Sequence, residues 1–131
     1  MVRVYATVTA LLGAMYVVYH LLWLGRPEPP VPTPGWLAIF QLAWAFISFG
    51  TISTFQKRGY SPALPAIYVI YTGITYAYVL YLGTTRGEVL DAMVPWWWRV
   101  GAIIAGAFYV VEGARIVFRS RADRQGSNDR A

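Results

Sequence analysis

The sequence predicts an all-α membrane protein: a four-transmembrane-helix bundle built from two antiparallel helical hairpins. Three observations carry this. Only 13% of the 131 residues are charged and 57% are hydrophobic, whereas a water-soluble domain carries roughly 25% charged residues. The mean hydropathy is +0.45. The apolar residues also gather into four stretches, each close to the roughly 20 helical residues that a hydrocarbon core about 30 Å thick requires.

The spans are expected at residues 4–24, 36–55, 62–82 and 96–118, within a single domain covering 1–131. A helix keeps its backbone hydrogen bonds internal, as hydrocarbon demands. The first connection, 25–35, carries Pro27, Pro29, Pro30, Pro32 and Pro34 and is expected to form a stiff, extended strap. The second, 56–61, is tight, and the third, 83–95, holds Glu88 and Asp91. Short connections make consecutive helices antiparallel neighbours. The tail, 119–131, is polar and basic and is expected to be disordered towards its end.

Charge placement predicts orientation. Arg3, Lys57, Arg58, Arg119, Arg121 and Arg124 fall at one end of the spans, and Arg26, Arg86 and Arg99 at the other. The richer side is expected to be cytoplasmic, which puts both termini and the second connection inside a multi-pass protein of the cell membrane. A net charge of +5 set at span boundaries is a topology signal, and no nucleic-acid partner is expected.

The halves share a faint 2+2 pattern. Gly13 and Tyr16 precede Leu22-Trp23-Leu24-Gly25, and Gly73 and Tyr76 precede Leu80-Tyr81-Leu82-Gly83. A repeated hairpin would be a parallel duplication about an axis along the membrane normal. Chance recurrence of glycine and aromatics near helix ends is the alternative reading. Lipid gives helices no hydrophobic reason to meet, so small residues must admit close backbone approach. Ala6, Ala10 and Ala14 in the first span and Ala102, Gly106 and Gly113 in the fourth predict contact between those two helices.

Ionisable groups inside a span are the first functional suspects because they are costly there. Glu112 and Arg115, at i, i+3, form one candidate polar or ion-pair site, with Gln41 as a further intramembrane polar group. His20, the single histidine, and the run Trp96-Trp97-Trp98 are candidate contacts for a partner or pigment. The bland readings are an ion pair that orients a helix end, a hydrogen-bonded histidine, and tryptophans anchored in the interface belt.

No cysteine is present, which removes disulfides, thiolate metal sites and thiol catalysis. One histidine excludes a bis-histidine haem within one chain, and a pigment or haem shared with a partner subunit through His20 stays open. No cofactor and no metal are otherwise expected. No phosphate loop, nucleophile elbow or metal-ligand cluster is found. The stretch Gly50-Thr51-Ile52-Ser53-Thr54-Phe55 resembles a threonine–phenylalanine segment of small fluoride channels over six residues only, in a different helix, and no site is carried over. The expected function is that of a small, non-catalytic accessory or assembly subunit of a larger membrane complex, with the bilayer and other membrane subunits, or itself, as partners. The alternative is a small homo-oligomeric transporter or channel.

Overall fold

The computed structural model describes residues 1–26, 35–86 and 96–130. Those residues form four helices: α1 (Val2–Leu24), α2 (Gly35–Lys57), α3 (Ala63–Arg86) and α4 (Trp96–Arg130). The proline strap, Glu88 and Asp91 lie outside the described residues.

Three of the helices, α1, α2 and α4, are long and apolar enough to cross a membrane. The helix α3 has 24 residues and carries Tyr68, Tyr71, Thr72, Thr75, Tyr76, Tyr78 and Tyr81. Those polar-tipped residues are spaced so that several share one side of the helix.

Each helix meets the next in the chain, and α4 closes against α1. Neighbours run antiparallel: Gly13 faces Gly106 while Gly113 faces Ala6, and Tyr5 meets Ser48 while Thr9 meets Trp44.

The closest approach is between α1 and α4, as the small residues predict. A Cβ added to Gly13 would stand 2.5 Å from the Gly106 carbonyl oxygen, and one added to Gly106 would stand 2.6 Å from the Gly13 carbonyl oxygen. A Cβ on Gly113 would stand 2.7 Å from the Ala6 carbonyl oxygen and 2.8 Å from the Ala10 Cβ. Backbone therefore meets backbone, a geometry that suits dispersion and Cα–H···O contacts. One residue differs from expectation. Ala14 is exposed and Gly13 is buried in its place, because the facing stripe drifts by a fraction of a turn along a 3.6-residue helix.

The seam tests the duplication. A 2+2 repeat would match the α1–α4 contact to an α3–α2 contact, with Gly73 standing for Gly13 and Gly50 for Gly113. Gly73 and Gly50 have nothing within 4 Å of an added Cβ. The paired positions are not equivalent in packing, so the likeness between the halves does not extend to their interfaces.

The turn between α2 and α3 is built from local rules. Gly59 takes φ +73°, a left-handed conformation that costs an L residue roughly 1–2 kcal/mol. Its N–H donates to the Gln56 carbonyl at 3.1 Å and the Tyr60 N–H donates to the Phe55 carbonyl at 2.9 Å. This is the paired closure of a Schellman motif. The apolar contact that goes with it is between the Phe55 and Tyr60 rings, 6.1 Å apart.

The tail is a correction. Residues expected to be disordered continue α4 as helix to Arg130, about 18 Å beyond Phe118 at 1.5 Å per residue. Gly126, Ser127 and Asn128 are weak helix formers, but extending an existing helix needs no new nucleus. The extension is also held from the side. The Tyr60 hydroxyl donates to Asp123 Oδ2 at 3.2 Å, and the Arg119 guanidinium lies over the Tyr60 ring at 4.7 Å.

Gly106→Leu should lower thermal stability in detergent by an amount on the order of 1–3 kcal/mol, the cost of overpacking a tight contact. Gly50→Leu, which adds its side chain to open space, should change stability by less than about 0.5 kcal/mol. Equal losses from the two would contradict the seam.

Candidate functional site in the bundle interior

The side chains turned inward mix apolar residues such as Leu12, Phe55, Leu64 and Ile116 with polar-tipped ones. Thr9 and Ser48 are fully buried, as are Tyr68 and Tyr109, with Thr51 and Thr72 close behind. Large apolar residues of α2 face outward: Phe46 is 81% exposed, Ile39 71%, Phe49 70% and Trp36 68%.

A clamp joins α1 to α2. Ser48 Oγ donates to the Trp44 carbonyl at 2.7 Å, which uses its one proton, so the Tyr5 hydroxyl is the donor in the 2.6 Å contact with Ser48 Oγ. Trp44 Nε1 donates back to Thr9 Oγ1 at 3.0 Å. Tyr5 and Thr9 are one turn apart on α1, and Trp44 and Ser48 are one turn apart on α2, so each helix presents an i, i+4 pair to the other. The Tyr5 and Trp44 rings stack at 5.3 Å with 7° between planes, and Phe55 meets Tyr5 edge-on at 5.5 Å.

Deeper in the bundle, Tyr109 lies 5.3 Å from Tyr68 and 6.2 Å from Tyr16, ring to ring. The Tyr109 hydroxyl is buried with no hydrogen-bond partner among the described residues, while the Tyr68 hydroxyl lies near Tyr16 and Thr72. A buried hydroxyl left unpaired costs free energy, and Tyr109 carries that cost.

The groups singled out from sequence do not converge. Arg115 Nη1 donates to Glu112 Oε1 at 2.8 Å, with the Arg115 side chain 73% exposed and that of Glu112 22%. Glu112 thus has a neighbour on its own helix and sits at the periphery. Gln41 belongs elsewhere, between α2 and α3, where its Oε1 accepts from the Tyr76 hydroxyl at 2.8 Å.

His20 Nδ1 lies 2.8 Å from the Tyr16 carbonyl oxygen. A carbonyl can only accept, so Nδ1 carries the proton. The ring is half-buried among Tyr16, Tyr19 and Trp23, with centroids 6.2, 5.3 and 6.1 Å away. Beside it, the Arg99 guanidinium lies over the Trp23 ring at 4.3 Å. Arg99 Nη1 donates to the carbonyls of Trp23 at 2.9 Å and Arg26 at 3.0 Å. A cation on the last carbonyls of α1 complements the negative end of the helix dipole. Arg99 therefore pins α1 to the start of α4, a role that its sequence position as a boundary charge did not suggest.

The tryptophan run divides. Trp98 stacks on Tyr78 at 5.3 Å and on Tyr71 at 6.1 Å. Trp97 is 52% exposed and touches Trp98 edge-on at 5.8 Å. The Trp96 side chain lies outside the described residues. Among the described residues, no group of three metal-ligating side chains forms. Of the other tryptophans, Trp44 is bonded to Thr9 and Trp23 is buried under Arg99.

Sequence reasoning missed the tyrosines. The signal was present: Tyr5, Thr9, Leu12 and Tyr16 on α1, and Leu64, Tyr68, Thr72 and Tyr76 on α3, recur at helical spacing. In a helix surrounded by lipid, such a stripe marks the inner face rather than the outer one.

Tyr5→Phe should destabilise the bundle by about 0.6 kcal/mol, the mean for an interhelical hydrogen bond in a membrane. Tyr109→Phe, which removes an unpartnered hydroxyl, should be neutral or stabilising. Thermal unfolding of the purified variants reads both, and the reverse order would contradict the hydrogen-bond assignment. Compared with protein-family models, with curated proteins and with solved structures, the chain shows no match in any of the three.

Proposed function

We propose that the chain is a four-span membrane protein, with both termini and the Arg58 turn on the cytoplasmic side, that serves as a non-catalytic assembly subunit of a larger membrane complex. The membrane part rests on inverted polarity. Ser48, Thr51 and Phe55 are the buried residues of α2, while Ile39, Phe46, Ile47 and Phe49 face outward. Water would reject that arrangement and hydrocarbon favours it. The tyrosines of α3 are part of the same logic, since a span can carry hydroxyls that face its neighbours.

The observation that carries the assembly reading is that the candidate polar groups among the described residues stand apart. Glu112 pairs with Arg115 at the periphery, Gln41 bonds to Tyr76, and His20 packs among rings at another level. A membrane catalyst or carrier needs polar groups meeting at one depth. The described interior instead fills with aromatic rings, while α2 presents an uncovered apolar face around Phe46. The aromatic outer end at Trp97 and Trp98 is a second surface that a partner helix would find. The homo-oligomeric transporter gains no support from Glu112, whose carboxylate is already paired.

A photoactivatable benzophenone amino acid in place of Phe46, irradiated in native membranes, should form a cross-link to a larger membrane polypeptide. Cross-linking only to a second copy of the chain, together with ion flux in liposomes, would replace the assembly reading with the transporter.

A further inference from the structure

At the end of the bundle where α1 begins, a groove of about 680 Å³ opens between the first turns of α1, the α2–α3 turn and the helical extension of α4. Arg3, Arg58 and Arg124 line it together with a single carboxylate, Asp123. That carboxylate already accepts from Tyr60. None of the three arginines forms an ion pair among the described residues. Each comes from a different helix or turn, and Arg124 arrives only because α4 stays helical past its apolar part. Like charges brought together in this way repel one another unless an anion sits between them. The α1 N-terminus at the groove has no side-chain cap, so it adds the positive end of a helix dipole.

The other wall is apolar. Val4 and Val8 line the groove, and Val4 is 65% exposed. Cationic forks next to an apolar helix flank match an amphiphile with a phosphate head. Guanidinium groups take phosphate oxygens in a bidentate fashion, and the volume lies in the range of ligand sites. We propose that this groove binds the headgroup phosphate of an anionic phospholipid at the cytoplasmic surface, with an acyl chain lying along Val4 and Val8. The proposal rests on the membrane reading given above.

The test is reconstitution of the full chain into nanodiscs of phosphatidylcholine containing phosphatidylglycerol. Native mass spectrometry then reads the lipid retained on the released protein. Preferential retention of phosphatidylglycerol is expected, weakened about fivefold for each of Arg3→Gln, Arg58→Gln and Arg124→Gln. Arg115→Gln, which removes a charge outside the groove, should leave the preference unchanged. Replacement of the three groove arginines by lysine keeps the charge but loses the bidentate fork, and should keep a preference intermediate between the native chain and the triple Gln variant, which separates lost binding from lost folding. Equal retention of the two lipids, or a preference that survives the triple Gln variant, would overturn the proposal. Displacement of the lipid by an equal concentration of soluble glycerophosphoglycerol would overturn the lipid source in favour of a free phosphate ester. An acidic polypeptide that co-purifies through the same arginines, without lipid preference, would overturn it in favour of a protein partner. Release of the protein from vesicles by alkaline carbonate would sink the membrane reading itself, an outcome distinct from lost preference in a protein that stays inserted.

Discussion

The backbone contact between α1 and α4 is the constraint on which the rest of the structure depends. Gly13 and Gly106 present their carbonyls to each other's Cα, and Gly113 takes Ala6 and Ala10 in the same way. No side chain separates the helices there, so their spacing and register are set together. That register puts Tyr16 beside Tyr109 and Trp23 under Arg99. It also brings the start of α1 alongside the extension of α4. In the membrane setting proposed above, hydrophobic burial cannot supply this fixity, because lipid tails are as apolar as the side chains, and close packing must do so instead.

The remaining helices are held by different physics. The α2 helix joins α1 through a closed set of hydrogen bonds and one stacked ring pair, Tyr5 on Trp44. The α3 helix joins its neighbours through Tyr76 on Gln41, Tyr68 on Tyr109, and Tyr78 on Trp98. These contacts are directional and individually small, unlike the continuous glycine seam. The bundle thus has one tight interface and a second, more open half, where Gly50 and Gly73 remain uncovered.

Much of the fold was legible in the sequence because length and apolar character suffice to locate helices in a chain of this kind. The starts and ends of α1, α2 and α3 fall within a few residues of expectation. The α1–α4 contact was legible from small residues, although Ala14 was placed in the seam where Gly13 belongs. The continuation of α4 was not legible, because Gly126 and Asn128 speak against helix and the tie through Tyr60 to Asp123 spans 63 residues of sequence. The inner face was hard to read for a related reason. Charge attracts attention in an apolar span, so Glu112 and His20 stood out. The inner face is written instead in tyrosine and threonine, whose period carries the information and whose single occurrences do not. The cationic groove was equally hidden, since Arg3, Arg58 and Arg124 meet only in three dimensions.

The central claim is that α2 turns Ser48 and Thr51 inward and Phe46 and Phe49 outward, towards the lipid of the membrane proposed above. The chain has no native cysteine, so single cysteines along α2 can carry a spin label without background. The measurement is collisional accessibility to oxygen and to a water-soluble nickel chelate, in liposomes, at positions 46, 48, 49, 51 and 55. The account predicts high oxygen access at Phe46→Cys and Phe49→Cys, with low access to both probes at Ser48→Cys, Thr51→Cys and Phe55→Cys. Nickel access at 46 and 49 equal to that of an aqueous loop would contradict it, as would accessibility without helical period.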